Sequence, residues 1–248
     1  MMVKTMVNRM NESRLVGGFR ACVLAMITVV LFLGGCGEKV LSPDQMLAQA
    51  KQERDKGGHS AAIIHLKNLL QQSPDHPEAR FLLGETYLDT GNLGLAETDL
   101  RKALDLGYDT TKAIPALGKA LLMQGKFQNV LDTVRLEGES DNAAQARILT
   151  LRGLAMIGLN RRAEGRKLLE EALAKQPDLS DALLAMARLE AGEKKIAESA
   201  RLIERAIAST PKNTEAWMLK GDVSRLNADE AGALAAYEKV VEINPRYI

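Results

Sequence analysis

The sequence predicts an all-α solenoid of about six helix-turn-helix repeats, stacked as a right-handed superhelix. Two observations predict it. Pro177, Pro211 and Pro245 fall 34 residues apart, and each closes an amphipathic stretch: EEALAKQP, IERAIASTP and YEKVVEINP. Pro74 closes HLKNLLQQSP in the same way. Composition agrees with the spacing. Aromatic residues make up only 4% of the 248 residues while Ala and Leu abound, which favours closely approaching helices over a β-rich core.

The repeats can be set in register one by one. Residues 77–110 carry Leu83-Gly84, Tyr87, a turn at Gly91, then Ala96, Leu100 and Ala103. Residues 214–247 follow with Trp217, Gly221, Ala233, Tyr237 and Pro245. Residues 146–179 supply Gly153, Gly165, Leu169, Ala172 and Pro177, and residues 180–213 supply Ala187, Ile203, Ala206 and Pro211. Residues 43–76 carry Gly57, Ala62, Leu66 and Pro74, with Ala50 in place of the first-helix Gly. Residues 111–144 are the poorest copy: Leu117-Gly118 and Gly125 are kept, but Val130 and Glu137 stand where small residues are expected. This pattern resembles the tetratricopeptide repeat (TPR), and the copies cover residues 43–248 as one array.

Each position has a physical reason. A small residue at the eighth and twentieth positions lets the two helices of a repeat cross closely. A large residue at the twenty-fourth position is expected to fill the gap to the neighbouring repeat. Pro lacks an N–H and stops the second helix. Where it is missing, Leu106-Gly107-Tyr108 can end the helix with Gly in the left-handed conformation. The one-residue slip in register falls in GESDNAAQ, residues 138–145, read as a loop insertion and a weak point of the array. The last helix, about Ala231–Asn244, is expected to expose Leu234, Tyr237 and Val241 towards a further repeat or another subunit. The expectation is that the natural chain continues into more repeats.

The N-terminus reads as an address. Lys4, Arg9, Arg14 and Arg20 precede the apolar run Ala21–Leu33, which is short for a membrane span and of the length of a signal-peptide core. The run ends in Leu33-Gly34-Gly35-Cys36, which resembles the lipobox of bacterial lipoproteins. The resemblance implies that residues 1–35 are cleaved and that Cys36 becomes the acylated N-terminus, carrying diacylglycerol and palmitate-type chains. Residues 36–42 then form a tether. Gly37 after the Cys favours the outer membrane with the protein facing the periplasm. Several acyl chains make such an anchor effectively permanent.

Chemistry is sparse elsewhere. The formal charge is +1; without residues 1–35, the 33 basic and 32 acidic residues fall to 29 and 31, giving no electrostatic reason to expect nucleic acid. Cys22 lies within the leader, and His59, His65 and His76 lack metal-ligand spacing, so neither a metal nor a cofactor is expected. No phosphate loop or nucleophile elbow occurs, and the chain is expected not to be an enzyme.

The remaining candidate site is the groove lined by the first helices. Positions five, nine and twelve give Phe81, Glu85 and Leu88, then Lys119 and Leu122, then Thr150 and Leu154. Arg188 follows in the fifth repeat, and Met218, Asp222 and Arg225 in the sixth. These residues mix apolar and charged groups without a single sign and without a cluster of Lys, Arg and Asn. They suit an extended or helical peptide held by apolar anchors and flanking polar contacts.

The passages AAIIHLKNLLQQSPDHPEARFLLGETYL, KALDLGYD, ALLMQGKFQNVLD and EAWMLKGDVSR, with the lipobox, resemble the N-terminal part of the TPR lipoproteins associated with the PEP-CTERM system. That resemblance implies a membrane-anchored scaffold in the envelope of bacteria that make exopolysaccharide and sort proteins through exosortase. Two further roles fit the same features: an outer-membrane or pilus assembly lipoprotein, and a regulator of an envelope polysaccharide synthase.

Overall fold

A computed structural model describes residues 41–135 and 141–245. The leader, Cys36 and most of the tether lie outside the described residues. The chain divides into two compact units, 1–45 and 46–248. Of the first, residues 41–45 are described. Ser42 and Gln45 form a reciprocal cap there: the Ser42 N–H donates to Gln45 Oε1 at 3.0 Å, and the Gln45 N–H donates to Ser42 Oγ at 3.3 Å. With Pro43 in the first helical turn, this cap starts the helix that follows.

Twelve helices follow among the described residues. In pairs they are α1 (Pro43–Asp55) with α2 (His59–Gln72), α3 (Pro77–Asp89) with α4 (Leu93–Asp105), and α5 (Thr110–Met123) with α6 (Phe127–Thr133). Then come α7 (Asn142–Gly158) with α8 (Arg162–Lys175), α9 (Ser180–Gly192) with α10 (Ile196–Ser209), and α11 (Thr214–Leu226) with α12 (Glu230–Ile243). The helices α2, α8, α10 and α12 each end two residues before Pro74, Pro177, Pro211 and Pro245. After α4, Gly107 takes φ +78°; its N–H donates to Leu104 O and the Tyr108 N–H to Ala103 O, both at 2.9 Å. That is the glycine stop the sequence called for.

The intra-repeat crossing is built on one pair of positions. A Cβ on Gly84 would lie 2.6 Å from Leu100 Cγ, and one on Gly153 would lie 3.0 Å from Leu169 Cγ. Gly118 faces Val134 and Gly221 faces Tyr237 in the same relation. The large residue at position twenty-four therefore packs on position eight of its own repeat, and Leu169 and Ile203 also join the packed cluster shared with the following repeat. Position twenty sits at the same crossing: a Cβ on Gly165 would meet Gly153 O at 2.8 Å, and Ser199 Oγ donates to Ala187 O at 2.8 Å. Tyr237 is thereby drawn into its own repeat and is only half exposed. It leaves Leu234 (61% exposed) and Val241 (49% exposed) alone on the outer side of α12.

The third repeat departs from the pattern. Its second helix, α6, has 7 residues against 14 in α8. The following first helix already begins at Asn142, capped by the Asp141 carboxylate, which accepts from the Ala144 N–H at 3.0 Å. Half of the segment read as a loop insertion is thus the first turn of α7. The carbonyls at the end of α6 are met by Arg152 of α7, whose Nη1 donates to Leu131 O at 2.9 Å and Val134 O at 2.8 Å. An otherwise open helix end is satisfied by the neighbouring repeat.

From the second repeat on, successive first helices touch one another (α3 with α5, α5 with α7, α7 with α9, α9 with α11), and each second helix touches the first helix after it. Second helices of adjacent repeats make no comparable approach among the described residues. First helices therefore lie on the inner side of the stack, where the candidate groove was placed. No helix among the described residues is long and apolar enough to cross a membrane.

Candidate peptide-binding groove

A first helix buries the residues that meet its own second helix and its neighbours. What remains is a strip facing inwards. Two of the expected groove residues are consumed by packing. Phe81 is 5% exposed and stacks on Tyr108, with ring centroids 4.4 Å apart. Thr150 is 3% exposed and its Oγ1 donates to Ala146 O at 2.8 Å within α7. A ligand on the strip does not reach either one.

Three others are engaged in the structure's own polar contacts. Glu85 accepts from Arg54 Nη1 at 2.9 Å, and Arg54 also pairs with Asp89 at 3.3 Å, tying the first repeat to the second. Asp222 accepts from the Tyr237 hydroxyl at 2.8 Å. Arg188 pairs with Glu215 of the next first helix at 2.6 Å. Leu88, Leu122, Leu154 and Met218 are half-buried; Lys119 and Arg225 are exposed.

The structure adds residues that counting from position five left out. Position two contributes Arg147, Asp181 and Glu215, all exposed on successive first helices. Asp181 keeps accessible area, yet the loss of water around its carboxyl is the largest influence on it. That desolvation, helped by Glu215, pushes its carboxyl above the ordinary range, while Lys119, Arg188 and Arg147 pull the other way. Four helices thus place charges within Coulombic reach of one carboxylate: Lys119 on α5, Arg147 on α7, Arg188 on α9 and Glu215 on α11. The set is mixed in sign, with the cations Lys119, Arg147 and Arg188 beside the carboxylates of Asp181 and Glu215. Spacing alone did not reveal it, because these residues come from different helices and from two different positions of the repeat.

Among the described residues no group of three or more His, Cys, Asp or Glu could hold a metal ion. His76 caps α3, its Nδ1 accepting from the Ala79 N–H at 3.3 Å. The geometry offers surface recognition: apolar side chains interleaved with charges along a row of helices.

Comparison with known proteins agrees with this architecture. A family profile described as Tetratricopeptide repeat matches residues 54–113 and 156–223, and a second profile of the same description matches residues 214–247. No curated protein matches the sequence. Among solved structures, one titled as the functional characterisation of pilF from Pseudomonas aeruginosa is 17% identical, with TM-score 0.56, covering 82% of this chain and 92% of the other. PilW, described as a widely conserved type IV pilus biogenesis factor, is 13% identical with TM-score 0.59, covering 83% and 94%. A thermophilic TPR protein of Thermus thermophilus, TTC0263, is 20% identical with TM-score 0.56, covering 78% and 100%. At these identities the likeness concerns the fold.

Proposed function

This chain belongs to the tetratricopeptide repeat family, whose repeats typically bind protein or peptide ligands, and we propose that it is a lipid-anchored scaffold of the bacterial envelope. A partner protein segment lies along the first-helix strip, and acylated Cys36 holds the array at the outer membrane, facing the periplasm. The observation that carries the binding role is the strip itself. Lys119, Arg147 and Arg225 remain exposed there, and Leu122 and Leu154 half-exposed, after packing has been satisfied. No catalytic step is needed to account for any of them.

Of the assemblies such a scaffold serves, a type IV pilus type of machine is the better supported, because pilF and PilW share the fold over more than four-fifths of this chain. The exopolysaccharide and PEP-CTERM setting is a second reading, favoured by the segments DLGYD and QGKFQNVL. Cross-linking in intact envelopes followed by capture of the chain tests the anchored scaffold. The wild type is expected to bring down a defined protein set from the outer membrane fraction. Cys36→Ser is expected to leave that fraction and lose the set. Fractionation of Cys36→Ser with the outer membrane, its partners unchanged, contradicts the anchor.

A further inference from the structure

Across the middle of the groove, the ninth position of three successive first helices reads Lys119, Leu154, Arg188. An apolar side chain stands between two cations. Arg147 adds a third positive group at the second position of the central helix. Lys119 and Arg147 make no ion pair with any described residue; Arg188 has one, with Glu215 at 2.6 Å.

We propose that this part of the groove selects a peptide segment in which acidic residues flank an apolar one. The proposal rests on the groove-binding reading above and names the chemistry of its ligand. Neighbouring helices pack with axes about 8–10 Å apart, so Lys119 and Arg188, two helices apart, are separated by about 20 Å. An extended chain advances about 3.3 Å per residue, so acidic side chains about six residues apart meet both cations while the residue midway meets Leu154. Alternation of apolar and charged contacts favours a peptide over a polyanion. A nucleic acid would want a continuous basic stripe, whereas Leu154 interrupts this one and Glu215 closes its end. Charge here serves selection and encounter more than raw affinity.

The probe is a fluorescein-labelled peptide with two Glu residues six apart around a central Leu. Its partner carries Gln at both Glu positions. Binding to the full chain in neutral detergent is read by anisotropy. The Glu peptide is expected to bind about tenfold tighter than the Gln peptide, within the range of a few partly exposed charge pairs. Lys119→Ala with Arg147→Ala is expected to abolish that preference while leaving the thermal midpoint unchanged, since both side chains are exposed.

Equal binding of the two peptides overturns the acidic preference and leaves groove binding standing. A single-stranded oligonucleotide that outcompetes the Glu peptide assigns the cluster to phosphate and overturns the proposal. Failure of both peptides to bind overturns it as well, while the groove itself is judged separately by cross-linking to its natural partner.

Discussion

Position fifteen, the turn between the two helices of every repeat, takes a positive φ all along the chain. Gly57, Gly91 and Gly125 occupy it in the first three repeats at φ +74°, +74° and +71°. Asn160, Lys194 and Ala228 occupy it in the last three at +64°, +63° and +56°. The turn geometry is the same whatever the residue, because the helices on either side fix it. An L-residue in this conformation costs about 1–2 kcal/mol, part of which Gly loses again to unfolded-state entropy. Lys194→Gly and Ala228→Gly are therefore each expected to raise stability by about 0.5–1 kcal/mol in urea unfolding, and Gly91→Ala to lower it by about 1 kcal/mol. A loss of stability in Ala228→Gly would contradict the shared-turn account. The glycines were legible in the sequence as turn residues. The other three were not, because Lys and Ala carry no sign of a left-handed backbone; only the register reveals the equivalence.

Adjacent repeats are held by a polar seam that recurs with its charges exchanged. Glu97 of α4, at position twenty-one, accepts from Gln124 Nε2 at 3.0 Å and Lys126 Nζ at 2.6 Å in the following turn. Arg101 Nε, one turn along α4, donates to it at 3.0 Å. In the fourth repeat the same position is Arg166, which pairs with Glu190 and, at 2.8 Å, with Glu193 at the end of α9. Burial by itself raises the Glu97 carboxyl, but the hydrogen bonds from Lys126, Gln124 and Arg101 outweigh it and hold the group below its ordinary value. A depressed folded value gives stability that is present above the unfolded carboxylate pKa and is lost as pH falls through the folded one. Glu97→Gln is accordingly expected to cost about 1–2 kcal/mol at pH 7, the scale of hydrogen bonds to a charged group, and the deficit should close in acid. Urea unfolding of both proteins at pH 7 and at pH 3 measures it; a deficit independent of pH would contradict the ionic seam. Helix spans were legible from caps and terminal prolines because those signals are local. The seam was not, since it joins residues 24 to 29 apart whose pairing depends on how the repeats stack. The shortness of α6 was visible only as a poor match around Val130 and Glu137.

At the scale of the molecule, stability in such an array is close to a sum over neighbouring repeats, and no repeat buries its apolar face alone. Leu169, Leu184, Ile203 and Leu219 belong to one packed cluster that runs from the fourth repeat to the first helix of the sixth, while Arg152 carries the join behind the shortened α6. The same stacking lines up the first helices on one side, and nine of the eleven expected positions keep exposed or half-exposed side chains along that strip. The strip was legible from the 34-residue period. Its true membership was not: Phe81 and Thr150 go to packing, while Arg147 and Asp181 come in, because burial follows from crossing geometry rather than from position number. The account's central claim is that this inner strip, and not the outer face of the second helices, holds the partner. A photo-cross-linking residue placed at Lys119 in the strip and, separately, at Arg201 on the outer side of α10 tests it most directly. Partner adducts in intact cells at position 119 and none at 201 are the predicted result. Adducts at 201 with none at 119 would contradict it.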